Sequence, residues 1–132
     1  MTQGISVVAS VRGSSIEVEA SYPEYAVMDA GFDEPFRQTL IEKYEGLARN
    51  KDVNDCILSI KASVAGSQVV KGIFELYKTV RARSGILLCA EYPPDYVRAL
   101  TDLGLPALPG FWLCGTLDEA REKLKALREE KP

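Results

Sequence analysis

Two short stretches near the start of the chain have the residue patterns of strands. Residues 5–11 are rich in valine, and residues 16–20 alternate apolar with charged side chains. A period of two is typical of strands with one buried face. Because the intervening residues 12–15 are short, polar and include Gly13, the pattern predicts a β-hairpin. Residues 25–28 are a predicted third short strand.

The rest of the chain alternates helical and extended patterns. Apolar side chains at spacings of three and four predict four helices, and apolar runs between them predict strands at residues 56–60, 86–90 and 111–114. Asp33 is the predicted N-cap of the first helix, and residues 116–119 form a capping box for the last. The predicted inward faces are Phe36, Leu40, Tyr44 and Leu47; Val70, Phe74, Tyr77 and Val80; Val97, Leu100 and Leu103; and Leu117, Ala120, Leu124 and Leu127.

This order of elements predicts the fold class. Alternation of strands and helices produces right-handed crossovers, so we expect an α/β domain with a mixed, mostly parallel sheet and the hairpin at one edge. A length of 132 residues fits a single domain, residues 1–132. In such sheets the functional loops follow the carboxyl ends of the strands, here residues 62–68, 90–95 and 114–117.

Composition narrows the chemistry. The chain contains no histidine, which excludes Ser-His-Asp and Cys-His catalysis and imidazole metal sites. The three cysteines, Cys56, Cys89 and Cys114, form no C-x-x-C pair, and each lies in an apolar stretch. We expect them to be buried free thiols in a reducing compartment. Neither a metal nor a cofactor is expected, since the glycine-rich dinucleotide and phosphate motifs are absent.

Charge and hydropathy exclude further classes of protein. The net charge of −3 does not favour nucleic-acid binding through bulk electrostatics. No apolar run reaches the ~18 residues that a membrane helix needs, so no membrane insertion is expected. The first residues lack the basic and apolar regions of an export signal, which predicts a cytoplasmic protein.

An ordered set of segments resembles one known family. A strand at residues 56–60 is followed by a small-residue loop, a helix through residues 76–85 and a strand at residues 86–89. Residues 93–105 then form a helix that ends in a Gly-Leu pair, and residues 116–120 open a final helix. In this order and spacing, the segments resemble the STAS domain of anti-sigma factor antagonists and of the cytoplasmic tails of sulfate transporters. The resemblance implies a single-domain STAS-like fold with about four helices and an N-terminal β-hairpin.

The family's phosphorylation motif is altered in this chain. Family members regulated by phosphorylation carry Asp-Ser-Ser-Gly at the start of the second helix, where the second serine accepts phosphate. Counting back from Gly85 places this tetrapeptide on residues 66–69, so the acceptor position holds Gln68. Ser67 stands one residue earlier. It is either a plain N-cap or, with a one-residue shift in register, the phospho-acceptor.

The resemblance implies a non-catalytic regulatory module that binds a protein partner. That partner would be a GHKL-type anti-sigma kinase or another STAS-type scaffold protein. The implied docking surface consists of Gly66, Ser67, Gln68, Lys71, Glu91, Tyr92 and Pro93.

Other functions stay open from the residues alone. The domain could bind a small ligand or lipid in a pocket lined by Trp112, Tyr92 and Phe111. An enzyme that uses Cys89 or Ser67 is a further alternative. The edge hairpin also permits pairing with a second copy, which would make the protein a homodimer.

Overall fold

The sheet of the domain has five strands. A computed structural model describes residues 4–28, 31–63 and 66–129, except for the side chains of residues 27, 28, 66, 67 and 106. The strands lie in the order β1 (Ser6–Arg12), β2 (Ser15–Ser21), β3 (Asp55–Lys61), β4 (Leu87–Ala90) and β5 (Phe111–Leu113). The β1–β2 pair is antiparallel, and the other pairs are parallel. The predicted α/β class, mostly parallel sheet and edge hairpin are confirmed.

Helices cover both faces of the sheet unequally. The described ranges contain α1 (Asp33–Lys51), α2 (Gly66–Ala82), α3 (Tyr96–Asp102), α4 (Leu117–Glu129) and two 3-10 segments, Glu24–Met28 and Leu105–Ala107. The larger core lies between the sheet and α1, α2 and α3. The smaller core lies between α4 and the other face of β3 and β4. That second face is therefore covered at β3 and β4 and partly at β2, where Arg121 of α4 bonds to Glu17, whereas β1 exposes its own.

The burial of the strands follows this arrangement. Six consecutive residues of β3 and all four of β4 are buried, because helices cover both of their faces. In β2, the apolar residues Ile16, Val18 and Ala20 face the larger core, and Glu17 and Glu19 face outward. In the hairpin, Arg12 pairs directly with Ser15, which leaves a two-residue turn that begins at Gly13 with a φ of 61°.

Three local predictions are wrong. Residues 25–28 belong to a 3-10 segment rather than a strand, since the N–H of Ala26 donates to the carbonyl of Pro23 (3.0 Å) and closes a turn. Helix α1 begins at Asp33, so Phe32 takes the cap position and Asp33 acts through its charge near the positive helix end. Ser67 lies inside α2 rather than at its cap.

Helix α3 turns a different face inward from the predicted one. Leu100 is buried as expected, but Val97 is 41% exposed and Leu103 is 53% exposed. Tyr96 takes the inward position instead, and its hydroxyl lies 3.2 Å from the sulfur of Cys89 in a hydrogen bond. Because a buried tyrosine provides more apolar area than a valine and also needs a polar partner, Tyr96 determines the rotation of this short helix.

Helices α2 and α4 agree more closely with the predicted patterns. The α2 residues Val70, Tyr77 and Val80 are buried as predicted, and Phe74 is partly buried. This helix buries a wider face than predicted, with Val69, Ile73 and Leu76 added, because it packs on both the sheet and α1. Thr116 caps α4 as predicted, since the N–H of Glu119 donates to its Oγ1 at 3.1 Å, which is one of the two hydrogen bonds of a capping box.

Candidate functional site

The carboxyl ends of the parallel strands meet at one edge of the sheet, which we call the carboxyl edge. In chain order, β2 to β5 end there at Ser21, Lys61, Ala90 and Leu113. The connections after these strands therefore gather at this edge, where open α/β sheets bind their ligands and partners. The two groups of predicted docking residues, at the start of α2 and directly after β4, follow neighbouring strands. The fold thus brings both groups to the same edge.

Glu91 joins three elements at the carboxyl edge. Its carboxylate accepts hydrogen bonds from the Lys61 ammonium at the end of β3 and from the N–H of Leu117 at the start of α4 (3.4 Å). The hydrogen bond from Lys61 is the main reason that the pKa of the Glu91 carboxyl is lowered. Its backbone has a φ of 53°, a left-handed conformation that costs a non-glycine residue about 1 kcal/mol. These contacts hold the loop after β4 in place.

The start of α2 combines an exposed cation with a buried amide. Gly66 and Ser67 form its first turn, and the Ser67 side chain lies outside the described residues. Gln68 is half-buried, and its Oε1 accepts no hydrogen bond within the described part of the chain. One turn later, Lys71 is exposed and forms no ion pair with any described residue. Lys71 is therefore a positive charge that this helix can offer to a partner.

In the loop after β4, Tyr92 contributes to the exposed surface and Pro93 does not. Tyr92 is half-buried, with its ring 5.0 Å from the ring of Tyr96, and burial raises the pKa of its phenol. Pro93 is buried, and its carbonyl accepts the N–H of Tyr96 (3.0 Å) at the start of α3. Pro93 thus shapes the loop but does not add exposed surface, which corrects its predicted place among the contacts.

Two exposed residues, Val97 on α3 and Leu103 directly after it, are additional candidates that the sequence pattern missed. Leu103 borders a groove of about 290 Å³ between α1, α2 and the end of α3. The remaining residues that line this groove are Asp33, Arg37, Lys71, Phe74 and Glu75. Only helical periodicity could have revealed Val97 and Leu103, and that periodicity assigned both of them to the core.

Charges around the groove are mostly paired. Arg37 forms an ion pair with Glu34 (3.1 Å), and Lys78 forms one with Glu75 (2.9 Å) while lying over the ring of Phe74. Lys71 differs because no described carboxylate lies within ion-pair distance. The groove is therefore lined by the apolar side chains of Phe74 and Leu103 and by one cation, Lys71, that has no ion-pair partner among the described residues.

The predicted pocket lined by Trp112, Tyr92 and Phe111 does not form. Phe111 and Trp112 are consecutive residues of β5, so their side chains point to opposite faces of the sheet. Phe111 is buried against Tyr77, with ring centroids 6.1 Å apart, whereas Trp112 is 38% exposed beneath the ammonium of Lys123. An open cleft of about 1060 Å³ borders Trp112 and α4, but neither Tyr92 nor Phe111 lines it.

The three cysteines are free and buried, as predicted. Burial raises the pKa of each thiol, and it raises the pKa of Cys89 to about 12. A thiol with such a pKa is protonated at neutral pH and is a poor nucleophile. The structure therefore gives no support to the alternative of an enzyme that uses Cys89.

Comparison with known proteins identifies the fold. No protein-family model matches the chain, and no curated protein matches it significantly. Among solved structures, a serine-to-glutamate variant of RsbS from Moorella thermoacetica matches with a TM-score of 0.64 and 20% sequence identity. The match covers 93% of this chain and 97% of RsbS, which is a STAS-domain protein. This chain has a STAS-like fold.

The described ranges lack the features of a membrane span and of a metal site. No helix in residues 4–28, 31–63 and 66–129 is both long enough and apolar enough to cross a membrane. Over the same ranges, no three acidic or cysteine side chains are grouped so that they could hold a metal ion.

Proposed function

We propose that this protein is a non-catalytic regulatory module that, like anti-sigma factor antagonists, binds a protein partner. Its docking surface would consist of the start of α2 (Gly66, Ser67, Gln68 and Lys71), the loop residues Glu91 and Tyr92, and the exposed residues Val97 on α3 and Leu103 at its end. The observation that carries the proposal is the combination of exposed apolar side chains at α3 with Lys71 on α2, which forms no ion pair with a described residue. Large exposed apolar side chains beside polar ones are typical of protein-binding surfaces.

The expected partner is a GHKL-type ATP-binding regulatory kinase or another STAS-type scaffold protein. The likeness of the fold to RsbS supports this class of partner. The chemistry of the surface adds a further requirement. Because Lys71 has no carboxylate partner among the described residues, we expect the binding partner to present an acidic side chain to it, which would favour association and orientation.

The phosphorylation motif that the STAS resemblance implies has no serine at its acceptor position on this surface. A phosphate in the first turn of α2 would add a charge of about −1.5 to −2, which the helix N-terminus tolerates but a closely packed partner does not. Gln68 cannot accept phosphate. Ser67 is the hydroxyl that remains in this turn, and we propose it as the phospho-acceptor if the switch is kept. Without modification at Ser67, the protein would stay in its binding-competent state.

A charge in the first turn of α2 is expected to weaken partner binding. We expect Ser67→Asp and Gln68→Glu each to lower the affinity about tenfold, because the partner must bury an added carboxylate. The neutral variant Ser67→Ala is the control, and it should bind as the wild type does. The measurement is titration calorimetry with the purified partner, after thermal unfolding has shown that each variant is folded. Unchanged affinity for both acidic variants would exclude this turn from the docking surface.

The function itself is tested by affinity capture of the tagged protein from its native cells, with quantitative mass spectrometry. We expect a GHKL-type ATPase or a STAS protein to be captured, and Lys71→Glu to reduce its recovery about tenfold through charge repulsion. Lys125→Glu is the matched control, since Lys125 is also exposed and has no ion pair with a described residue but lies on α4, across the sheet. The proposal fails if neither protein class is captured, or if both lysine variants capture it equally.

A further inference from the structure

Strand β1 presents an open edge along its whole length. It forms one border of the sheet, pairs only with β2, and runs for seven residues in regular register, from Ser6 opposite Ser21 to Arg12 opposite Ser15. No described element pairs with its outer side. An edge strand carries backbone N–H and C=O groups that can bond to another strand. The other border, β5, has only three residues and offers far fewer such groups.

The usual protections of an edge strand are missing from β1. Natural edges carry lysine, proline, a bulge or an inward-pointing charge, which discourage pairing with another chain. The interior positions of β1, residues 7–11, are Val-Val-Ala-Ser-Val, and the register with β2 contains no bulge. The charged Arg12 stands only at the end of the strand. Val8 is 61% exposed on the outer face, which makes it the most exposed large aliphatic side chain described.

The sequence of β1 is complementary to itself in the antiparallel direction. A two-fold axis through Ala9 would place Val7 opposite Val11 of a second copy, and Val8 opposite Ser10. Each of these pairs would occur once on either side of the axis. Ser6 would lie opposite Arg12, so no like charges would face each other. The residues Val7, Ala9 and Val11 all point to the face covered by α1, and Val11 and Ala9 are only partly buried in one copy. Pairing would continue this apolar face across the axis.

We propose that β1 is a homodimer interface, in which two copies pair their β1 strands antiparallel about Ala9 and form one continuous ten-stranded sheet. Closed two-fold association is the commonest form of homo-oligomer, and it requires a self-complementary patch of this kind. Backbone hydrogen bonds along the strands supply the association, as in other cases of strand addition. The interface lies at the β1 border, away from the α2 and α3 docking surface, and each dimer would present two such surfaces to its partners.

Val8→Lys tests this interface with little risk to the fold. Val8 stands directly opposite Glu19 of β2, so a lysine there gains a cross-strand partner within its own chain. It also places a charge on the edge, which natural edge strands use to prevent pairing. Gln38→Lys is the matched control, because Gln38 is exposed on α1 and the change in charge is the same.

The measurement is sedimentation velocity from low to high micromolar concentration. We expect the wild type and Gln38→Lys to reach twice the chain mass of 14.5 kDa, and Val8→Lys to need at least about tenfold higher concentration. Amide hydrogen exchange of residues 6–12 should slow as the wild type associates. A wild type that stays monomeric at every concentration overturns the proposal. A dimer that Val8→Lys leaves unchanged also overturns it, because the interface would then lie elsewhere.

Discussion

Replacement of Gly85 by alanine is expected to lower the free energy of unfolding by about 3 kcal/mol, through steric overlap in a packed region. Gly85 lies between α2 and β4, against the chain that leads into β3. A Cβ at this position would overlap the carbonyl oxygen of Asn54 and come within 2.8 Å of both the Asn54 carbonyl carbon and Cγ1 of Val80. The Asn54 atoms are backbone and cannot move without displacing β3. Urea unfolding of the purified protein measures the effect.

Two further variants distinguish two reasons for glycine at position 85, which are the close contact with Asn54 and the conformational freedom of the backbone. Gly46→Ala on α1 meets nothing within 4 Å, so the better helix propensity of alanine should stabilise the protein by about 0.5–1 kcal/mol. Ser84 has a φ of 63°, so Ser84→Gly should be neutral or stabilising. If Gly85→Ala costs less than about 1 kcal/mol, the backbone of Gly85 does not pack tightly against that of Asn54.

Removal of the buried Asp55 carboxylate is expected to cost a similar amount, about 3 kcal/mol for Asp55→Ala. Asp55 opens β3, and its carboxylate accepts hydrogen bonds from the N–H of Ile86 (2.9 Å) and from Arg128 on α4, through Nε at 2.8 Å and a terminal nitrogen. Alanine would leave the Ile86 N–H without its acceptor and the guanidinium without its counter-charge. The C-terminal half of α4 would lose its polar anchor to the sheet.

Asp55→Asn separates the loss of the hydrogen bond from Ile86 from the loss of the ion pair with Arg128. The amide oxygen can still accept from Ile86 but carries no charge for Arg128, so we expect about half of the loss. Asp102→Ala is the control on an exposed carboxylate, with an expected change within about 0.5 kcal/mol. Thermal unfolding and urea unfolding should agree. If Asp55→Ala and Asp102→Ala prove equally mild, Asp55 does not anchor α4.

Local patterns predicted most helices and strands, because the spacing of apolar residues indicates which side of a segment is buried. The alternation at residues 16–20 produced a strand with Ile16 and Val18 inward and Glu17 outward. Consecutive apolar residues in β3 and β4 correctly indicated strands covered on both faces. The capping box found the start of α4, since a cap is a local hydrogen bond between residues three apart.

The candidate site stays a prediction, and the structure changes part of the set of residues proposed for it. The start of α2 and the loop after β4 follow from the order of strands, which a STAS-like resemblance also implies. The exposure of Val97 and Leu103 could not be predicted in this way, because both residues fit a helical apolar pattern that indicates burial. The predicted contact Pro93 is buried for a similar reason. Which residues of a short segment turn inward depends on the shape of the core that receives them.

The sequence alone determined the order of strands and helices, the edge hairpin and the absence of histidine chemistry, since these depend on residue type and local spacing. The tertiary structure decided the rest, because it depends on groups far apart in the chain. It showed that Tyr96 rotates α3 through its bond to Cys89, and that Asn54 requires glycine at position 85. It also showed that Glu91 joins Lys61 to the start of α4, and that β1 keeps an open edge.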